Sequence, residues 1–149
     1  MAHRREINAV PADLERLLTS GARALHFGRN RLAAYYLQAA LDAAEYRDSL
    51  AARINALLLL AELARRNGDR RTAVRFYRHV LAESLRADFL LGAAGAVQHL
   101  AAIAAETSPQ QARWLYACAH QLFTALHEEE LRRMTARNLT LHAVVTSAA

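Results

Sequence analysis

The chain has 149 residues, enough for one domain that buries most of its apolar surface. Hydrophobic residues make up 54%, with five glycines and two prolines, a balance that argues against a disordered chain. All 19 basic residues are arginine against 14 acidic ones, and the formal charge of +5 permits attraction to nucleic acid or acidic protein without requiring either.

Alanine and leucine dominate and β-branched residues are sparse, so the expected fold is all-α. Pro11 suits the first turn of a helix ending near His26 or Phe27, with Gly28 as its left-handed stop. A second helix is expected from about Arg31 to Arg47. Asp48 or Ser49 can cap a third, which stops at Asn67-Gly68. Asp69 caps a fourth and Asp88 a fifth. In "TSPQQ", Ser108 is the N-cap of a sixth, Pro109 fits its first turn, and Gln111 completes a capping box. A seventh is expected near Glu128, its three glutamates at the head and Arg132, Arg133 and Arg137 further on matching the helix dipole, although Arg132 and Arg133 lie early in it.

The segments repeat. Ala33, Tyr36, Leu37, Ala40 and Leu41 match Ala73, Phe76, Tyr77, Val80 and Leu81 at a spacing of 40, and Ala112, Leu115, Tyr116 and Ala119 follow at 39. Ile54, Leu57, Leu60, Ala61 and Ala64 match Ala94, Val97, Leu100, Ala101 and Ala104 at 40, with Leu14, Leu17 and Gly21 one repeat earlier. The economical reading is one domain over 1–149 made of three helical hairpins, at about 11–47, 49–87 and 88–126, closed by a capping helix over about 128–146.

Leu57, Leu60 and Ala61, then Gly68-Asp69, Ala73 and Tyr77, resemble the tetratricopeptide (TPR) family, in an α-α superhelix of about seven helices. The period is longer than that family's, which is about 34 residues, and the third hairpin turns on Thr107-Ser108-Pro109 instead of Gly-Asp. Long hairpins of this build are similar to the helical repeat regions of large bacterial signalling and transcription-activator proteins. The resemblance implies a non-catalytic scaffold that binds a protein or peptide in a groove lined by the first helix of each hairpin. Carried onto this chain, the groove wall comprises Asn55, Leu58, Leu59, Glu62, Arg65 and Arg66, with Glu15, Leu18, His26 and Gln98 from neighbouring repeats. Arg65 and Arg66 can grip a carboxylate there, or cap the last carbonyls of their own helix. Four consecutive leucines (57–60) exceed what one buried face needs, so Leu58 or Leu59 packs on a neighbour, a ligand or another subunit.

On an ideal helix Arg71, Arg75, Arg78, His79 and Arg86 fall within roughly 100° of one another. That stripe can meet phosphates, which makes a nucleic-acid-associated protein the alternative function. The simpler reading is a solvated helix face, since the stripe is absent from the second helix, which has Tyr35, Gln38 and Ala39. A sensor for a small apolar ligand is a third reading, suggested by Trp114 and the surplus leucines.

His99 and His120 lie on adjacent helices without a third ligand at metal-binding spacing, so partly buried, hydrogen-bonded histidines are expected and no metal or cofactor. Cys118 is the one cysteine, and on a helix it points about 200° from His120. Nucleophile motifs and phosphate loops are missing, and no catalytic residue is assigned. The mixed face of Trp114, Ala117, Cys118, Gln121 and Ala125 is expected to lie under the seventh helix, whose own weak stripe is Leu131, Met134, Leu141 and Val145. The start "MAHRREINAV" has no apolar core, so a cytoplasmic protein without a membrane segment is expected. No capping segment is evident before the first hairpin, which motivates self-association as a further expectation.

Overall fold

A computed structural model describes residues 12–126 and 134–140. The chain is an all-α helical repeat: α1 (Ala12–His26), α2 (Asn30–Tyr46), α3 (Leu50–Arg66), α4 (Arg70–Arg86), α5 (Leu90–Ala105), α6 (Pro109–Ala125), and α7 at 134–140. There is no strand among the described residues. Two compact units divide between Phe76 and Tyr77, within α4.

A shared turn explains the regular spacing. Gly28 and Gly68 take φ of 69° and 76°, and Asp48 and Asp88 take 51° and 54°. At each, two amides fold back on the preceding helix: Gly28 to Leu25 and Arg29 to Ala24 at 3.1 and 2.8 Å, for example, and Asp88 to Leu85 and Phe89 to Ser84 at 3.2 and 2.7 Å. This paired pattern is the Schellman stop, which satisfies carbonyls that a helix end leaves open. The unit is therefore one helix and one turn, repeating every twenty residues from Gly28 to Asp88.

Asp88 as an expected cap, and Asp48 as one of two candidates beside Ser49, are corrected by this geometry. Asp48 and Asp88 do not open the helices after them; each supplies the left-handed stop of the helix before, a conformation that a short polar side chain tolerates. Ser49 and Phe89 stand at the N-cap positions without a side-chain bond. Asp69 does cap α4, its Oδ1 accepting from the Thr72 amide at 3.0 Å. At α6 only half of the capping box forms. Ser108 Oγ accepts from the Gln111 amide, while the Ser108 amide donates instead to Ala104 O at 2.7 Å.

In the first unit α1 packs on α2, α2 on α3, and α1 also touches α3. Leu14, Leu25, Ala33, Leu37, Ala40, Ile54, Leu57 and Ala61 are buried at its centre. A methyl on Gly21 would lie 2.5 Å from Leu37 Cδ2, so the close approach of α1 and α2 needs glycine there. Arg47 Nη1 donates to Asp13 Oδ1 at 2.9 Å, and Asn30 Nδ2 to Asn67 Oδ1 at 2.6 Å, tying α2 to α1 and to the turn after α3. Leu58 and Leu59 are both half-buried, so the leucine run is absorbed largely by packing.

In the second unit α5 packs on α6. Ala94, Val97, Ala119 and Phe123 form one cluster with Leu81 against it; Ala101, Ala104, Ala112 and Tyr116 form another, with Leu139 of α7 against it. Across both units the repeated slots share one environment. Ala33, Ala73 and Ala112 are each fully buried, and each amide donates to the N-cap carbonyl four residues earlier at 2.9–3.0 Å.

Candidate interaction surfaces

On α3 the spacing of Asn55, Leu58, Glu62 and Arg65/Arg66 places them along one side of the helix. Asn55 is exposed, Leu58 and Glu62 half-buried, Arg65 and Arg66 exposed. Glu62 gathers both arginines. Arg65 donates through Nε and Nη2 to its two oxygens at 2.9 Å each, and Arg66 Nε donates to Oε1 at 2.8 Å. The hydrogen bonds from Arg65 hold the Glu62 carboxyl below its ordinary value; burial opposes this, and the Arg66 bond and both positive charges reinforce it. Arg66 Nη1 also donates to Leu25 O at 3.0 Å. It caps a last-turn carbonyl, but of α1 and not of its own helix.

The other groove residues are less uniform. His26 is exposed and meets Phe27 edge-on, with ring centroids 5.2 Å apart, and Glu15 is exposed. Leu18 is only 8% exposed and belongs to the core of the first unit, so it offers no open wall. Gln98 on α5 is half-buried.

Along α4 all five stripe residues, Arg71, Arg75, Arg78, His79 and Arg86, are exposed. Three have partners on their own helix. Arg75 lies over the Phe76 ring, 5.7 Å from its centroid, while Arg86 Nη1 and His79 Nε2 lie 3.3 and 3.8 Å from Glu83 Oε1. Asp69, at the head of the helix, is held below its ordinary value chiefly by the Thr72 hydrogen bonds and further by Arg75 and Arg71. Much of the stripe's charge is thus answered locally.

Two cavities stand outside what sequence patterns disclosed. One, of 410 Å³, opens on the side of α5, where Gly95, Gln98, His99 and Ala102 share a face, with Tyr116 on α6 and Asn138 on α7. His99 is set by a stack on the buried Tyr77 ring, 4.8 Å between centroids and 10° between planes. Burial pushes the Tyr116 hydroxyl up, so it remains a neutral phenol. The small residues at 95 and 102, one on each side of Gln98 and His99 at helical spacing, were the available signal. The other cavity, also 410 Å³, lies between α1 and α2 and is lined by Ser20, Arg23, Phe27, Arg29, Leu32 and Tyr36.

The remaining candidates resolve differently from expectation. His99 is exposed at its stack, and His120 carries a buried Nδ1 with no hydrogen-bond partner among the described residues, where a satisfied histidine was expected. Trp114 is 66% exposed and is not covered by the described part of α7, because Leu139 packs on the Tyr116 side of α6 instead. On α7 the inward residue is Thr135, fully buried, whereas Met134 is 49% exposed. Leu131, Leu141 and Val145 lie outside the described residues.

Among the described residues no group of three or more His, Cys, Asp or Glu side chains could hold a metal ion, and no helix is long and apolar enough to cross a membrane. Comparison of the chain with protein-family models, with curated proteins and with solved structures gave no match.

Proposed function

We propose that this chain is a non-catalytic scaffold that holds a segment of another protein against the first helices of its hairpins. The observation that carries this reading is the α5 cavity. Its walls combine apolar surface from Leu91, Ala102 and Tyr116 with the side-chain amides of Gln98 and Asn138. Each amide offers both donors and an acceptor, which suits the main chain of a bound peptide, and the apolar floor suits a side chain. The residue pattern that resembles the tetratricopeptide family points the same way. Nucleic-acid binding through α4 is the less supported reading, since Phe76 and Glu83 already engage Arg75, His79 and Arg86.

Gly95 makes a direct test available. A Cβ added there meets nothing within 4 Å, so the side chain of Gly95→Leu starts without a clash at the wall of the cavity it is meant to fill. Random peptides selected on the native chain should lose affinity for Gly95→Leu by about tenfold or more while its helicity is unchanged. Equal binding to both proteins refutes the site. Binding to mixed RNA and DNA that is lost on Arg75→Glu with Arg78→Glu, and with rising salt, would favour the α4 reading instead.

A further inference from the structure

We propose that the cavity between α1 and α2 is a second docking site, built for an acidic, amphipathic peptide segment. Its apolar lip is not core left over from an unfinished repeat. Phe27 occupies a turn position held elsewhere by Arg47, Asn67 and Ala87, all four with the same backbone bond to the residue four earlier at 3.0–3.1 Å. The turn therefore has no need of an aromatic, yet Phe27 stands there 65% exposed, with Leu32 at 40% beside it.

The opposite exchange occurs on α1. Ser20 and Arg23 occupy the slots that bury Leu60 and Leu63 one repeat later and partly or fully bury Leu100 and Ile103 two repeats later. Polar side chains thus stand on the face of α1 that carries core in the later repeats. What remains open is a distinct apolar patch flanked by two guanidinium groups.

Charge selects the occupant. Arg23 and Arg29 are exposed, no acidic residue lines the cavity, and neither arginine has an ion-pair partner among the described residues. A segment with carboxylates on each side of a leucine or aromatic residue would satisfy both guanidinium forks and cover Phe27, Leu32 and Tyr36. A second copy presenting the same face would set arginine against arginine. The chain's own start, with His3, Arg4 and Arg5 against Glu6, carries the wrong sign.

The site shares no lining residue with the α5 cavity and is tested separately. The probe is a short fluorescein-labelled peptide of glutamate interspersed with leucine and phenylalanine, titrated by fluorescence anisotropy. It should bind roughly tenfold or more tightly than the same peptide with lysine for glutamate or with serine for leucine and phenylalanine. Arg23→Glu with Arg29→Glu should abolish that preference, added salt should weaken binding, and Gly95→Leu should leave it unchanged. Both arginines are exposed, and circular dichroism checks that the double variant remains folded. No preference for the acidic peptide, indifference to the arginine reversal, or loss on Gly95→Leu overturns the proposal. So does sedimentation showing a dimer that dissociates on Phe27→Ser, which would make the patch a self-interface.

Discussion

Gly92 and Gly95 lie one helical turn apart on α5, and the packing around them assigns opposite outcomes to the same substitution. Alanine is favoured over glycine in a helix interior by about 0.8–1.0 kcal/mol. At Gly95 nothing opposes that gain, since an added methyl meets no atom within 4 Å. Gly95→Ala should stabilise the protein by about 0.5–1 kcal/mol. At Gly92 the methyl would lie 2.5 Å from Ser84 Oγ and 2.6 Å from Phe89 Cδ1. Overpacking of this kind costs about 1–3 kcal/mol, and the propensity gain in a first turn is smaller, so Gly92→Ala should destabilise by about 1–2 kcal/mol. Ser84 provides the internal control. It is fully buried, its hydroxyl has no partner among the described residues, and Ala44 fills the matching slot on α2. Ser84→Ala should therefore be neutral or stabilising by about 0.5–1 kcal/mol. In Gly92→Ala/Ser84→Ala the clash with the oxygen is relieved while that with Phe89 remains, so the double variant should recover part of the loss, about 0.5 kcal/mol beyond additivity. Urea unfolding followed by far-ultraviolet circular dichroism measures all four variants. Equal stability of the two glycine variants, or strict additivity of the pair, would refute this account of α4–α5 packing in the second unit.

Asp88 carries the cost of a left-handed backbone that glycine adopts freely, so Asp88→Gly should raise the melting temperature, by about 0.5–1 kcal/mol in stability, and Asp88→Val should lower it. Glu62 predicts a dependence on pH. Its folded carboxyl titrates below the ordinary value of 4.5, so its contribution is complete above that pH and is lost as pH falls through the lowered folded value. The difference in melting temperature between native protein and Glu62→Gln should then be largest near neutrality and disappear in acid; a difference that grew on acidification would mean that Arg65 and Arg66 are not its partners. Arg66→Ala should cost about 1 kcal/mol in urea unfolding by removing the bond that runs from α3 to the Leu25 carbonyl of α1; an unchanged midpoint would mean that this bond does not hold the two helices together.

Helix boundaries were legible because glycine and proline leave few choices: Gly28 and Gly68 take the left-handed stop, and Pro109 opens α6. Asp88 was misread, and Asp48 left open beside Ser49, for a definite reason. An aspartate before a helix can accept from its amides, but it can equally tolerate the stop of the helix before, and local sequence does not rank the two. The twenty-residue spacing from Gly28 and Gly68 was the evidence that did. Of the surfaces, the Glu62–Arg65 and Glu62–Arg66 pairs were in neither reading of the two arginines, although their i,i+3 and i,i+4 spacing permitted them, whereas the bond from Arg66 to Leu25 required knowing that α1 touches α3. Trp114 was misplaced because the sequence does not say which side of α6 receives Leu139. Both cavities depend on tertiary neighbours, so only their small or unexpectedly apolar residues were visible beforehand.

The last turn shows which part of the repeat is mechanically essential. Positions 29, 49, 69 and 89 are N-caps at equal spacing, but the next is Ser108, one residue early, with φ of −142°. Pro109 excludes the helical region for the residue before it, and the turn closes through Thr107 and Ser108 amides on Ala104 O instead of a left-handed stop. The distance from N-cap to buried alanine is nevertheless unchanged, from Asp69 to Ala73 and from Ser108 to Ala112. The packing slot is therefore counted from the start of the helix and tolerates variation in the turn. A glycine inserted between Thr107 and Ser108 should cost only about 0.5–1 kcal/mol, the scale of a modest loop change. A residue inserted between Gln110 and Gln111 would instead present Gln111 at the slot where Ala112 is fully buried, at a cost of roughly 2 kcal/mol or more for an unsatisfied amide. Urea midpoints of the two insertions decide it: equal losses would mean that the turn, and not the slot, sets the register of the third hairpin.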